Sequence, residues 1–438
     1  MRRAIRIFTA SSVVAACLAA AGPALASPTV CKTGCFFTSI QSAINAAQSG
    51  AVITIGKGNY YENVVVNKPV TLKGAGNETV IYPAVSKPGC EPGEEGSLCK
   101  GASNIILVEA SNVTITNLRL EGSNPELTGG VVVGGKEIHA RNGIIENWSL
   151  AIPFNNLTVS KVKISDIYLR GIYASSGGTG FNFNHDTVEN VQGEEASIAM
   201  FNFGGSGVMA SNKVTNANDA ISANWSRGTE FLKNVITKSG SGVHTDNNGE
   251  VGVADLIKEN TVRECKVNGY GIFVFVPYVS ATVESNKISG CSVGLAAFGG
   301  AVPGKGPTFA NNVVNGTGAG TTNNAGTDGA YLTTDQLGYA YGDLTATLTG
   351  NSFQHFTTGM FVTQTTPTPG QPAGGQATVT ASPNNSFAYN GTGANGEPGT
   401  TVNAEKDWWG CAQGPNMGGH CNTAIGTVTF KPWLEAKP

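Results

Sequence analysis

The sequence has few of the residues that metal sites and nucleic-acid interfaces require. Charged residues make up only 13% of the 438 residues, there are 5 histidines, and no two cysteines have the Cys-x-x-Cys spacing. A metal site is therefore disfavoured. The formal net charge is −3, and it becomes more negative without the three N-terminal arginines, which disfavours nucleic acid as a partner.

Long apolar runs are also scarce. Ile7 to Ala21 is apolar, follows a basic head, and precedes the small residues Ala24-Leu25-Ala26. This order predicts a signal peptide over residues 1–26 and a secreted or periplasmic protein. Cys17 lies in a lipoprotein-like context, so lipid anchoring there remains an alternative. No later run reaches the length of a membrane span, and no transmembrane segment is expected.

No helical periodicity runs through the chain, but a shorter repeat does. Asn212, Asn234, Asn260 and Asn286 each precede an aliphatic residue by two positions. A second aliphatic position follows at a fixed offset, occupied by Ile221, Val243, Ile272 and Leu295, with one three-residue insertion. A period in the twenties predicts a solenoid with one turn of strands per repeat. The asparagines would then stack at one bend. The alternative is that asparagine is simply a common turn residue.

The predicted fold class is all-β, a single-stranded parallel β-helix of about ten coils. The general preference for right-handed parallel crossovers predicts its hand. Residues 27–438 are expected to form this domain, with coils from about 50 to 430. Helical spacing over residues 36–45 predicts a short capping helix at the N-terminal end.

The stretch Gly58-x-Tyr60-x-Glu62-Asn63-Val64 resembles the first coil of pectin methylesterases. These belong to the pectin-lyase-like superfamily of right-handed parallel β-helices. The resemblance implies the fold and a polysaccharide as partner. The catalytic motifs of pectin methylesterases, polygalacturonases and calcium pectate lyases are missing from the sequence, so no particular reaction is implied. No cofactor is expected, and a calcium requirement is left open.

Eight cysteines follow the predicted signal peptide, and an even number suits an oxidising compartment. Two of them lie five residues after ladder asparagines in adjacent repeats and should stack within disulfide range. The other six form close pairs along the chain. The predicted disulfides are Cys265 with Cys291, Cys31 with Cys35, Cys90 with Cys99, and Cys411 with Cys421.

Polysaccharide-active relatives of this fold bind sugar on the strand face that follows the Gly-aliphatic pair. Side chains alternate along a strand, so residues one and three positions after each inward aliphatic should face outward on it. This phase predicts Ala199 and Phe201 as outward neighbours in one coil. Across the coils it predicts an aromatic row of Tyr173, Phe201, Phe273, Phe275 and Phe298. These rings are either covered by loops or serve as stacking platforms for sugars.

Polar residues lie in the middle of this predicted face. Asp246 is the candidate general base, His244 its acid partner or orienter, and Asp219 a second carboxylate. Asn224, Trp225 and Arg227 are candidate substrate-binding residues, with Arg227 suited to clamp a carboxylate. The alternative is that His244 and Asp246 form a solvated pair on a polar turn.

The function predicted from sequence is a secreted, monomeric, polysaccharide-binding protein. Lyase, hydrolase or epimerase activity is the enzymatic hypothesis. The alternatives are a non-catalytic glycan-binding surface protein and an adhesin-like structural solenoid, because fold does not settle function.

Overall fold

The computed structural model describes residues 27–94, 96–246, 252–275, 280–299, 306–317, 326–335, 342–364 and 375–438. The predicted signal peptide, with Cys17, lies outside the described residues.

The described strands form three long parallel sheets, named A, B and C in the order in which each coil passes through them, with 15, 11 and 13 strands. Sheet A contains Thr29–Val30, Ala51–Ile55, Val70–Lys73, Thr114–Thr116, Thr158–Ser160, Thr179–Asn184, Ser206–Ala210, Thr229–Leu232, Leu256–Lys258, Thr282–Glu284, Thr308–Ala310, Leu344–Thr349, Ala377–Ala381, Thr401–Asn403 and Val428–Thr429. Sheet B contains Gly58–Tyr61, Thr79–Tyr82, Arg119–Glu121, Lys163–Ile167, Thr187–Val191, Lys213–Ala217, Val235–Thr237, Thr261–Arg263, Lys287–Ser289, Val313–Asn315 and Ser352–Gln354. Sheet C contains Val64–Val66, Asn104–Val108, Asn142–Glu146, Arg170–Ala174, Ile198–Phe203, Asp219–Asn224, Ser241–Asp246, Tyr270–Phe275, Val293–Phe298, Gly326–Thr333, Phe356–Thr363, Thr392–Gly396 and Ala424–Gly426.

A few short elements lie outside these sheets. They are the helix Ile40–Ala46, the 3-10 turns Gly76–Glu78 and Trp148–Leu150, and an antiparallel hairpin of Val131–Val133 and Lys136–Ile138. No helix of the described chain is long and apolar enough to cross a membrane.

The sheets enclose one continuous apolar core, to which each coil contributes inward side chains. In sheet C, Ile221 pairs with Val243, Val243 with Ile272, and Ile272 with Leu295. All four are fully buried, as their spacing predicts. Coils of similar path, stacked in register, therefore form a parallel β-helix.

The bend between sheets A and B contains the predicted asparagine ladder. Each ladder amide donates its Nδ2 to the Oδ1 of the next, at 3.0 Å from Asn212 to Asn234 and 2.9 Å from Asn234 to Asn260. The same Oδ1 atoms accept the backbone N–H of the preceding ladder residue. Left-handed residues precede the ladder positions, with φ of 56° at Lys233, so the bend aims each amide into the interior. The prediction that these asparagines stack is confirmed.

The ladder is longer than its four best-marked repeats. It continues through Asn286, Asn312, Asn351 and Asn385 by the same pair of bonds. An aspartate lies at each end of the ladder. At its start, Asp186 donates its backbone N–H to the Asn212 Oδ1, and at its end the Asp407 Oδ1 accepts the backbone N–H and the Nδ2 of Asn385.

The N-terminal end of the core is closed by the helix Ile40–Ala46, whose Ile40, Ala43 and Ile44 are buried. Glu62 caps this helix by accepting the Ser39 hydroxyl at 2.9 Å and the backbone N–H groups of Ile40 and Gln41 at 2.9 and 3.0 Å. The predicted capping helix is therefore present. The Glu62 of the first-coil motif serves to hold it in place.

The C-terminal end is closed by Trp409, which is fully buried with its ring centroid 5.2 Å from that of Phe387. All four predicted disulfides are present. Cys265 and Cys291 join adjacent coils, with a Cα–Cα distance of 4.7 Å.

Candidate functional site

The outward face of sheet C brings most of the predicted site residues onto one surface. Register pairs Ser222 with His244 and His244 with Phe273, so these side chains share one outward row. In the coil before, Met200 pairs with Ile221, so Phe201 and Phe203 point outward. Phe201 is outward as predicted, but Ala199 is fully buried within the apolar core, so its predicted outward position is wrong. This coil has extra residues between its strands in sheets B and C, Thr187–Val191 and Ile198–Phe203. The spacing from which outward positions were predicted therefore does not hold in it.

Asp219 and His244 come together in the middle of this face. The His244 Nδ1 lies 3.4 Å from the Asp219 Oδ2. The hydroxyls of Ser222 and Ser241 donate to the two carboxylate oxygens of Asp219. Burial alone would raise the pKa of Asp219, but the hydrogen bond and charge of His244, with the two serine bonds, bring it below its usual value. Asp219 is thus an ionised partner that fixes the orientation of the imidazole.

The second ring nitrogen of His244, Nε2, is the atom at which the cluster could transfer a proton. Nε2 is buried and has no hydrogen-bond partner among the described residues. The ring stacks on Phe273 with centroids 4.1 Å apart and meets Phe275 edge-on at 6.4 Å. Asp246 follows two residues later on the same strand and is buried. The cluster can accept or donate one proton at Nε2 while Asp219 stabilises the imidazolium.

The predicted aromatic row is largely packed against itself. Tyr173 stacks on Phe201 with centroids 4.6 Å apart, in a cluster with Ile145 and Ile198. A second cluster contains Phe273, Phe275 and Phe298 with their neighbours Tyr270 and Tyr331. Tyr173, Phe201 and Phe298 are buried. They therefore form the floor of the face rather than free stacking surfaces.

Exposed aromatic rings lie beside the first cluster. Trp148 is 41% exposed, Phe203 40% and Trp225 48%. Trp148 and Phe203 line two adjoining cavities of about 460 and 400 Å³. Their other described lining residues include Arg170, Tyr173, Ser175, Phe201 and Asn224 in the first cavity and Ile152, Pro153, Ser176 and Arg227 in the second. These two cavities are called the aromatic groove below; Trp225 lines neither of them.

Two loops form the walls of the aromatic groove. One contains the turn Trp148–Leu150, which Asn147 caps by accepting the Ser149 N–H. The other contains the Cys90–Cys99 disulfide and is clamped by the buried Arg141, which donates to the carbonyls of Pro88, Gly96 and Ser97 at 2.7, 2.9 and 3.2 Å. Trp148, Arg170 and Phe203 are residues that the sequence did not identify.

Two charged groups flank the groove, the half-buried Arg170 and the buried Glu146. Burial lowers the pKa of Arg170 to about 10, partly opposed by the charges of Tyr173 and Asp219, so this guanidinium is cationic at neutral pH. Burial raises the pKa of Glu146 to about 7 although its carboxylate accepts the Ser176 N–H and hydroxyl. Glu146 thereby holds Ser176, which lines the second cavity. The described residues contain no group of three or more His, Cys, Asp or Glu that could hold a metal ion.

The chain is a right-handed parallel β-helix protein. Residues 154–314 match the family described as "Right handed beta helix region". Among solved structures, it resembles the A-module of the Azotobacter vinelandii mannuronan C-5 epimerase AlgE6 with a TM-score of 0.53 and 16% identity over 90% of this chain and 94% of that one. The catalytic domain of a GH87 alpha-1,3-glucanase in complex with tetrasaccharides gives 0.55 and 14% over 89% and 70%. The Yersinia enterocolitica family 28 exopolygalacturonase gives 0.50 and 9% over 94% and 79%.

A sequence relative is a cell surface glycoprotein of Methanothermus fervidus, 28% identical over 131 residues. That match covers 30% of this chain and 16% of the relative. At these identities the structural likenesses establish the fold alone, so the function must be argued from the site.

Proposed function

We propose that the protein is an extracellular polysaccharide-binding protein that holds its glycan in the aromatic groove on the outward face of sheet C. The observation that carries the proposal is the pair of exposed rings, Trp148 and Phe203, on the walls of two adjoining cavities. Exposed rings of this size beside polar groups suit stacking against sugar faces. Asn224, Ser175 and Arg227 supply hydrogen bonds for sugar hydroxyls.

The comparisons agree with this proposal in two respects. The solved structures that share the fold include an epimerase of mannuronan and a glucanase in complex with tetrasaccharides. The sequence relative is named a cell surface glycoprotein, and four disulfides in the described residues suit an oxidising, extracellular location.

Binding is tested with the purified mature chain against plant, algal and bacterial polysaccharides, by affinity electrophoresis and then calorimetry. We expect Phe203→Ala and Trp148→Ala each to weaken binding about tenfold, since one stacking contact contributes roughly 0.5–1.5 kcal/mol beyond its buried area. Tyr389→Ala is the matched control, because this ring is 63% exposed and lies near the C-terminal end of the chain, outside the groove. Absence of binding to every polysaccharide would leave the structural-solenoid hypothesis in its place.

A second candidate function is acid–base catalysis on the bound glycan, in the lyase, hydrolase or epimerase class. It is favoured by the Asp219–His244 pair with its unpartnered Nε2 and by Asp246 on the same strand. His244 would exchange the proton, Asp219 would orient it, and Asp246 would serve as the second acid–base group. The rings of Phe273 and Phe275 would confine the imidazole.

Catalysis is tested by reducing-end and unsaturated-product assays on the polysaccharides that bind. His244→Gln and Asp246→Asn should abolish turnover and leave the dissociation constant within about twofold. Glu230→Gln, an exposed carboxylate on sheet A, is the control. If the wild-type chain binds without turnover, the protein is a binding protein and the polar cluster has no catalytic role.

A further inference from the structure

Resting on the proposed function, we infer that the aromatic groove selects an anionic sugar residue, a uronate or a sulfate ester, through Arg170 and Arg227. This names the chemical class of the glycan, which neither the fold nor the exposed rings determine.

Arg170 is a cation that lines the first cavity, and among the described residues no carboxylate lies within ion-pair distance of it. It begins the strand Arg170–Ala174, and one guanidinium nitrogen donates to the Ala196 carbonyl. Its Nε is fully buried and has no hydrogen-bond partner among the described residues. The guanidinium carbon lies 5.0 Å from the Phe201 ring centroid and 5.6 Å from that of Tyr173. The rings hold the guanidinium in place and leave its donors incompletely used.

Arg227 supplies a second guanidinium, in the adjoining cavity. It lines the cavity that shares Trp148, Ser175 and Phe203 with the first. Among the described residues, neither arginine has a carboxylate within ion-pair distance. By contrast, Arg119 and Lys163 on sheet B are each paired with a glutamate.

Burial lowers the pKa of Arg170 and the charges of Asp219 and Glu194 partly oppose this, but among the described residues neither carboxylate lies within ion-pair distance of it. Asp219 is committed to two serine hydroxyls and His244, and Glu146 to the N–H and hydroxyl of Ser176. Removing a guanidinium from water without a partner is costly, and an incoming carboxylate or sulfate would offset that cost. Guanidinium groups bind such planar or tetrahedral anions by paired N–H donors. The local charge of the groove is thus opposite to that of the whole chain, whose formal net charge is −3.

The test compares five polymers on the full mature chain: polygalacturonate, alginate, the carboxyl-reduced neutral form of each, and a sulfated galactan. We expect the wild type to bind an anionic polymer at least tenfold more tightly than its neutral counterpart. Arg170→Gln should remove most of that preference while binding to the neutral polymer persists. The Arg227 side chain makes no hydrogen bond to the described residues. Arg227→Gln should also reduce the preference, and it tests the inference if Arg170→Gln fails to fold. Arg263→Gln, an exposed arginine on sheet B, is the matched control.

The outcomes separate the two proposals. Equal wild-type affinity for the anionic and neutral polymers overturns the anionic-sugar inference and leaves polysaccharide binding intact. A preference that survives in both arginine variants also overturns it. Absence of binding to any probe, anionic or neutral, overturns polysaccharide binding itself. Tighter binding of the sulfated galactan than of either polyuronate assigns the sulfate ester, and the reverse order assigns the uronate.

Discussion

At the scale of single residues, the ladder asparagines are the most sensitive positions. Asn260 donates to the Asn286 Oδ1 and the Phe231 carbonyl, and its own Oδ1 accepts two donors of Asn234. Asn260→Ala leaves these buried groups unpaired and should destabilise the protein by about 1–3 kcal/mol. Denaturant unfolding measures this, with the exposed Asn182→Ala on sheet A as control. Equal losses in the two variants would contradict the energetic role of the ladder.

The aspartate that begins the ladder makes stability depend on pH. Asp186 is buried, its Oδ2 has no hydrogen-bond partner among the described residues, and burial raises its pKa to about 8. An aspartate in the unfolded chain titrates near 4. Because the folded pKa is the higher one, the stability that the bound proton provides is complete below about pH 4 and is lost as the pH rises to about 8.

Asp186→Asn keeps the Oδ1 that accepts the Val162 N–H and places an uncharged amide at Oδ2. We expect this variant to exceed the wild type in stability by about 1–3 kcal/mol at pH 9 and by much less at pH 5. Urea unfolding at the two pH values, with the exposed Glu230→Gln as control, checks this. A variant that is weaker than the wild type at both pH values would show that the carboxyl is needed as such.

At the scale of elements, the cap of the solenoid depends on one carboxylate. Glu62 accepts three donors at the start of the helix Ile40–Ala46. Glu62→Gln removes the charge and one acceptor, so a loss of about 1–2 kcal/mol is expected. Glu78→Gln, an exposed partner of Lys57, should cost less than half as much. Thermal unfolding distinguishes them, and equal shifts would argue that the cap contributes little.

The disulfide between Cys265 and Cys291 joins two adjacent coils and closes a loop of 26 residues. Replacing both cysteines by alanine should lower stability by about 2–4 kcal/mol, chiefly by freeing the unfolded chain. The pair Cys31 and Cys35 closes only four residues, so its removal should cost less. A larger loss from the short pair would contradict this account.

The sequence predicts the elements better than it predicts the site, for a physical reason. Stacked coils force Asn212, Asn234 and Asn260 into one bend, so their fixed spacing reports the fold directly. The same phase places His244 on the outward face and Asp219 at the preceding turn, and the structure brings the two together. Trp148 and Phe203 were missed because loops and insertions carry no period. An insertion also explains why the spacing predicted Ala199 as the outward neighbour of Phe201, where the structure has Phe203.

At the scale of the whole molecule, the aromatic groove and the polar cluster lie on one face at different heights along the solenoid. Sheet C advances four strands from Asn142–Glu146 to Ser241–Asp246. At about 4.8 Å per strand this is about 19 Å. A glycan that contacts both regions must therefore run parallel to the solenoid axis.

This geometry predicts how affinity depends on oligosaccharide length. Affinity for oligosaccharides of the polysaccharide that binds should rise with length until the chain spans the distance from Trp148 to His244, and then level off. Phe203→Ala should weaken binding of short and long oligosaccharides alike, because the groove is the primary contact. His244→Gln should affect only those long enough to reach it, by about twofold at most. Calorimetry over an oligosaccharide series decides the matter: a disaccharide that binds as tightly as the polymer would place the whole interaction within the groove and leave the face beyond it without a binding role.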